Sequence, residues 1–277
     1  MVETWPSVTE ESAEDFIADH VADGADYIKL MQENCCSLAM PTGSVPSATL
    51  ELQTAVVKAA HAKGLKVVGH ALSIDNTEIL LKSGADGLTH TFIDQAPTDE
   101  IVQLYKDTGA FVIPTLVVLC SLTNEEGHLR KKFADVGSKR SILDDFTKQN
   151  KLDVLAMKAP EAKVEYAYQT IKRLKAGGID VVAGTDAVAG LKGTAIGPSL
   201  WMELEMYVER CGFSVLDALK AATSVAAKRF AFGDRGKVEE GKRADLVLVK
   251  GNVMENLQSL WEGDGIVGVW KEGIKAA

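Results

Sequence analysis

One arrangement of polar and apolar positions repeats along the chain: an amphipathic helical segment ends at a glycine and a short apolar run follows it. The first copy predicts a helix over residues 10–22, ended by Gly24, and a strand over residues 26–31. The second copy predicts a helix over residues 48–63 behind the cap Ser47, and a strand over residues 65–70. A glycine suits each helix end because it readily adopts the left-handed backbone found there.

The later copies follow the same arrangement. Asp75 and Glu78 have the spacing of a capping box, which predicts a helix that ends at Gly84. Three more strands are predicted, over residues 87–90, 110–118 and 179–184. Further helices are predicted over residues 98–108 and over two segments of 123–176 that meet near Pro160. Another is predicted over residues 198–209, with Pro198 as its first residue, and a last one begins at Ser214 and Asp217.

The alternation of short β-rich runs with helices predicts an α/β fold with a parallel sheet of five strands. From Gly236 onward the helix–strand pattern stops, and the sequence predicts a turn and two strands, at residues 244–249 and 265–271. We therefore expect one α/β domain over residues 1–235 and a small β appendage over residues 236–277.

Composition narrows the class of protein. The chain has 277 residues, 46% of them hydrophobic, which is ordinary for a soluble globular protein. Its net charge of −9 disfavours nucleic acid and anionic membranes as partners. No apolar stretch has the length of a membrane span, and the acidic first residues lack a signal peptide's apolar core. The four cysteines have no zinc-ribbon or disulfide spacing, so we expect free thiols and a cytoplasmic protein.

Four residues with metal-binding or acid–base chemistry lie at the ends of different predicted strands: Lys29, His70, His90 and Asp186. Active sites of parallel α/β folds form at the carboxyl ends of strands. Each residue alone has a plainer explanation: a strand-end histidine is more often bonded to a nearby carbonyl, Lys29 can reach solvent, and Asp186 can cap a turn. Together they indicate a metal site.

The strings IKLM, GHALS, GLTHTF and AGTDA, at residues 28–31, 69–73, 87–92 and 183–187, resemble the fourth, fifth, sixth and eighth strands of the amidohydrolase superfamily. Residues 204–230 and 236–252 resemble the closing helices and tail of its imidazolonepropionase-like branch. The resemblance implies a partial (β/α)8 barrel made of strands four to eight, with part of a small β-sandwich as the appendage.

The resemblance also implies roles for the strand-end residues. Lys29 would be carbamylated and would bridge two metals, His70 and His90 would bind one metal, and Asp186 would bind the other and act as general base. It implies zinc as cofactor and hydrolysis of an amide or cyclic amide C–N bond in a small molecule or short peptide by a metal-activated water.

The sequence departs from the family pattern in two respects. The family's first strand has an H-x-H pair for the other metal, and no H-x-H occurs here, since the chain begins in what resembles the third helix. Trp201 stands where related sequences often have a histidine. We expect one zinc ion, and a second only with ligands from an upstream segment, which would then raise activity by orders of magnitude.

Two alternatives follow from these departures. The chain could be a catalytically inactive, truncated amidohydrolase that acts as a binding or assembly subunit, or a one-metal member with non-hydrolytic chemistry such as decarboxylation. Five parallel strands cannot close an eight-stranded barrel, so residues 26–31 would form an open edge, and residues 244–249 would leave an apolar face uncovered. We therefore expect a homo-oligomer, a rearranged structure or poor solubility.

Overall fold

The computed structural model describes residues 8–276. Its helices are α1 (Ala13–Ala22), α2 (Leu50–Ala62), α3 (Ile74–Ser83), α4 (Asp99–Thr108), α5 (Leu116–Thr123), α6 (Gly127–Lys139), α7 (Asp145–Leu152), α8 (Val164–Ala176), α9 (Pro198–Glu209), α10 (Val215–Ala221), α11 (Ser224–Arg229) and a short 3-10 helix at Leu257–Leu260. Its strands are β1 (Tyr27–Met31), β2 (Lys66–His70), β3 (Gly87–Thr89), β4 (Phe111–Ile113), β5 (Leu246–Val249), β6 (Ile266–Lys271) and β7 (Ile274–Lys275).

The first four strands form one parallel sheet in the order β1-β2-β3-β4, as the βα repeat predicts. The register places Met31 beside His70 and His70 beside Thr89, so the strands end at one edge of the sheet. The sheet of residues 8–276 does not close into a barrel, and β1 forms one of its edges.

The predicted fifth strand is reduced to one parallel bridge, between Val112 and Val181. The amide of Val182 donates to the carbonyl of Val112, but the next bond of the ladder would need an amide N–H at residue 114. That residue is Pro114, which has no N–H to donate. The carbonyl of Val182 instead accepts from the hydroxyl of Tyr207, at 3.2 Å.

The prediction of a strand over residues 110–118 is wrong beyond Ile113. Thr115 has a left-handed backbone, with φ of 54°, and α5 begins directly after it. Every residue of α5 is buried, so this apolar run lacks the polar positions that would have revealed a helical period.

Three details of the predicted helices also need correction. The stretch 123–176 holds α6, α7 and α8 rather than two helices, because Asp144 caps a separate short helix. Ser73, not Asp75, caps α3, and Thr49, not Ser47, caps α2. The Ser214–Asp217 capping box and the position of Pro198 are confirmed.

The two faces of the parallel sheet differ. One face packs against the helices in a continuous core that includes Ile28, Val67 and Leu88. On the opposite face a small cluster of Val68, Phe111 and Val182 is covered by Phe230. Near β1 that face is open, since Tyr27 is 44% and Met31 is 59% exposed.

The residues after Gly236 form an antiparallel sheet in the order β5-β6-β7. Val247 and Leu248 of β5 are more than half exposed. The connection between β5 and β6 contributes Leu257 and Trp261 to the main core, and the Trp261 ring lies 5.3 Å from that of Phe133 on α6. None of the helices within residues 8–276 combines the length and the apolar character needed to cross a bilayer.

Candidate active site

The carboxyl ends of the parallel strands bring the predicted site residues together. The imidazole rings of His70, at the end of β2, and His90, directly after β3, lie 4.6 Å apart between centroids at an interplanar angle of 82°. His70 is half-buried and His90 is buried. Asp186 lies after the bridge at Val181, and its charge acts on both His70 and Lys29.

Lys29 lies on the open face of β1, where the side chains of the strand alternate between exposed and buried. Tyr27 and Met31, on the same face of the strand as Lys29, are exposed. By surface area Lys29 is exposed, yet partial burial lowers the pKa of its amine, and Asp186 acts in the opposite direction. Lys29 is thus close enough to Asp186 for the two charges to interact, and the lowered pKa makes its amine a weaker base than a free lysine.

Burial and the neighbouring charges shift the pKa of Asp186 in opposite directions. Burial raises the pKa of the Asp186 carboxyl, while the positive charge of Lys29 and that of His70 act to lower it. A carboxyl with a raised pKa is a stronger base than an exposed one, so Asp186 is suited to accept a proton.

A carboxylate holds the His70 ring. Oε2 of Glu33 lies 3.1 Å from Nε2 of His70, and the Glu33 side chain is buried. A carboxylate oxygen accepts hydrogen bonds, so the proton lies on Nε2 and the lone pair of Nδ1 remains for a ligand.

A hydroxyl holds the His90 ring. Oγ1 of Thr115 lies 2.6 Å from Nδ1 of His90, and the same hydroxyl donates to the carbonyl of Pro114 at 2.8 Å. Because its one hydrogen is used there, the hydroxyl accepts from Nδ1–H, and Nε2 of His90 remains for a ligand. Burial, with His70 and Lys29 close by, holds the pKa of His90 well below its usual range, so the ring is neutral.

The backbone around these residues is strained. His90, Thr115 and Asp186 all have positive φ, at 70°, 54° and 54°. Non-glycine residues rarely adopt this conformation, and it concentrates at functional sites.

The donor atoms suit a divalent metal in chemistry, but the set is small. Two imidazoles with free nitrogens are preferred ligands of zinc. Within residues 8–276 no three side chains of histidine, cysteine, aspartate or glutamate form a group that could hold a metal ion. A third ligand in this site would therefore have to come from Lys29, after modification, or from a movement of Asp186.

Sequence reasoning missed Glu33 and Thr115. Glu33 follows Lys29 by four positions in a loop, and Thr115 lay inside a predicted strand, so neither position had a periodic signal. The neighbouring Cys35 is buried, and its amide donates to Oε1 of Glu33. All four cysteines are free, as predicted.

Two other features lie away from this site. Trp201 packs beneath the guanidinium of Arg140, 5.5 Å from the ring centroid. A groove of about 590 Å³ is lined by residues of α6, α9 and the 3-10 helix, among them His128, Glu205 and Trp261. This groove contains none of the strand-end residues.

A curated protein of known name is similar to most of this chain. An ochratoxinase of Aspergillus niger is 26% identical over 230 residues, which are 80% of this chain and 40% of that protein. The chain thus spans less than half the length of the curated relatives it matches.

Solved structures share the fold. A Xaa-Pro dipeptidase with bound methionine is 23% identical with a TM-score of 0.69, over 99% of this chain and 62% of that chain. A phenylurea hydrolase B is 18% identical with a TM-score of 0.70, over 97% of this chain and 57% of that chain. The crystal structure of the A. niger ochratoxinase gives a TM-score of 0.69 at 22% identity, over 97% of this chain and 55% of that chain.

The family model for the amidohydrolases matches residues 2–275. This match covers nearly the whole chain and confirms the resemblance carried by the strand-end strings. The chain therefore belongs to the amidohydrolase family.

Proposed function

We propose that the protein is a metal-dependent hydrolase that cleaves an amide or cyclic amide C–N bond in a small molecule or short peptide. One observation carries the proposal: the imidazole rings of His70 and His90 lie 4.6 Å apart between centroids at the strand ends. Their neighbours Lys29 and Asp186 add an amine of lowered pKa and a carboxyl of raised pKa. Likeness to a dipeptidase supports a C–N bond as the target.

In this proposal His70 and His90 would hold one zinc ion through Nδ1 and Nε2, and a carbamate formed from the Lys29 amine and carbon dioxide would complete the set. Nε2 of His70 donates to Glu33 and Nδ1 of His90 donates to Thr115, which leaves the other nitrogen of each ring free for a ligand. When bound, zinc would lower the pKa of a water and polarise the scissile carbonyl.

Asp186 acts as the general base. Its carboxyl accepts the proton of the attacking water and afterwards delivers it to the leaving nitrogen. Burial raises the pKa of this carboxyl, which makes it a better proton acceptor than an exposed carboxylate.

We further propose that residues 1–235 correspond to strands four to eight of a (β/α)8 barrel and residues 236–277 to part of a β-sandwich appendage. The parallel order of β1 to β4 and the bridge at Val181 support the first assignment. The antiparallel sheet of β5, β6 and β7 supports the second. A second metal would need ligands from outside these strands.

Two other functions remain testable. A binding or assembly subunit without catalysis is favoured by the open face around Lys29, and would bind no metal at His70 and His90. A one-metal decarboxylase would bind metal but release carbon dioxide rather than an amine.

Metal analysis with a substrate panel tests the proposal. The purified protein should hold close to one equivalent of zinc, which His70→Ala should lose and His128→Ala, an exposed histidine outside the site, should keep. The panel contains N-acyl amino acids, dipeptides, cyclic amides and the corresponding carboxylic acids. Metal content unchanged in His70→Ala would reject the site, and turnover only of the acids would favour decarboxylation.

A further inference from the structure

Helix α5 starts without a cap of its own. The residue before it, Thr115, makes no side-chain bond to the first turn of the helix. Its left-handed backbone, with φ of 54°, differs from the extended conformation that an ordinary capping residue adopts. Its hydroxyl is used elsewhere, as donor to the Pro114 carbonyl and as acceptor from Nδ1 of His90.

A carboxylate from a distant helix takes over the capping. Oε1 of Glu203 accepts from the amide of Leu116, and Oε2 accepts from the amide of Val117, both at 2.9 Å. Glu203 lies on α9 and is 0% exposed. Both oxygens of one buried carboxylate therefore satisfy the free amides at the positive end of α5.

We propose that Glu203 and Thr115 are positioning residues for His90: Glu203 caps α5 in place of Thr115, and the freed hydroxyl holds His90 as the Nδ1–H tautomer. The inference rests on the proposed function, because that tautomer matters through the free Nε2 it leaves for a metal. Neither residue touches the substrate in this proposal.

The geometry explains why both residues are needed. A threonine hydroxyl has one hydrogen and can cap a helix only as an acceptor from an amide. If Thr115 capped α5, its oxygen would have to turn toward the amides that now face Glu203. Without the carboxylate, the uncapped amides would compete with Nδ1 of His90 for the same oxygen.

The tautomer can be measured directly in the metal-free protein, by long-range proton–nitrogen correlation on labelled histidine. The parent protein should show His90 with its proton on Nδ1. Thr115→Val keeps the side-chain shape but removes the acceptor, and should shift the tautomer ratio about fivefold to tenfold toward Nε2–H, the size expected for one lost hydrogen bond. Thr115→Ser should restore the parent ratio. An unchanged ratio in Thr115→Val rejects the role of Thr115.

Glu203→Gln tests the second step. It keeps one acceptor and replaces the other by a donor, so the amides of Leu116 and Val117 should exchange about tenfold faster, and His90 should become a mixture of tautomers. The matched control is Glu205→Gln, on the same helix but paired with Lys132, which should change neither reading. Faster exchange with an unchanged His90 tautomer would reject the link from Glu203 to His90.

Zinc affinity is a second, independent measurement of the role of Thr115. In competition with a chelator, Thr115→Val should bind zinc about 10- to 100-fold more weakly than the parent, and Thr115→Ser should bind like the parent. Equal affinity in Thr115→Val counts against the positioning role. A parent protein that binds no zinc but shows the expected tautomer changes would reject the proposed function and leave the positioning of His90 established.

Should Glu203→Gln fail to fold, Glu203→Asp, which keeps the carboxyl group, replaces it as the test of Glu203. The two Thr115 variants decide the role of Thr115 in either case.

Discussion

The buried carboxylate of Glu33 bridges two parts of the site: Oε2 lies 3.1 Å from Nε2 of His70, and Oε1 lies 2.6 Å from the amide of Cys35. The backbone amide fixes the carboxylate, and the carboxylate fixes the ring. Such a carboxylate–histidine pair raises the basicity of the opposite ring nitrogen, here Nδ1.

Replacing Glu33 should weaken metal binding without removing a ligand. Glu33→Gln keeps the shape and loses the charge, so we expect zinc affinity to fall about 10- to 100-fold in competition with a chelator. Glu78→Gln, which breaks an exposed pair with Lys82, is the control and should bind zinc like the parent. Parent-like affinity in Glu33→Gln would show that His70 needs no carboxylate.

Asp186→Asn should abolish most of the hydrolysis. The amide keeps the size of the side chain but cannot accept the proton, so kcat for an amide substrate should fall about 10²- to 10⁴-fold while folding is retained. The control is Asp135→Asn, in which the replaced carboxylate lies on the exposed surface of α6, and it should keep the parent kcat. Turnover at the parent rate in Asp186→Asn would exclude it as the general base.

Lys151 should make stability depend on pH. Its amine is fully buried on α7, donates to the carbonyl of Gly193 at 3.0 Å, and burial lowers its pKa from 10.5 to about 7. Between these two values the unfolded chain holds a proton that the folded protein has lost. The contribution of Lys151 to the free energy of unfolding therefore rises with pH between about 7 and 10.5, and it is lost as the pH falls from 10.5 to about 7.

Denaturant titrations at pH 7 and pH 9 test this dependence. The stability of the parent relative to Lys151→Met should increase by up to ~1.4 kcal/mol per pH unit over this range. Lys148→Met, on the same helix and partly exposed, should show a flat difference. A flat difference for Lys151→Met as well would mean that the buried amine keeps its proton.

The open face of β1 should make the chain self-associate. Tyr27 and Met31 are exposed beside the outer edge of β1, which pairs with no other strand of residues 8–276, and such edges pair with other chains. Light scattering should report a homo-oligomer, and Met31→Lys should lower its mass. Val21→Lys, which changes an equally apolar exposed residue on α1, should not. A monomeric parent protein would contradict the expectation.

Local patterns in the sequence were enough for most of the helices and for the parallel sheet of β1 to β4. The alternation of glycine-ended helices with short apolar runs reflects local rules, which act over a few residues and can be read without knowing the fold. The same rules predicted strand ends at Lys29, His70, His90 and Asp186. In the structure His70 ends β2 and His90 directly follows β3. Lys29 is the middle residue of β1, and Asp186 follows the isolated bridge at Val181 rather than a strand.

The tertiary structure decided what those residues contact. Whether Pro114 ends a ladder depends on the strand opposite it, and α5 was hidden because all of its residues are buried. Glu33 reaches His70 across 37 positions, and Glu203 reaches Leu116 across 87. No local pattern encodes a hydrogen bond between residues so far apart in sequence, because only the packing of the helices on the sheet brings the two atoms together.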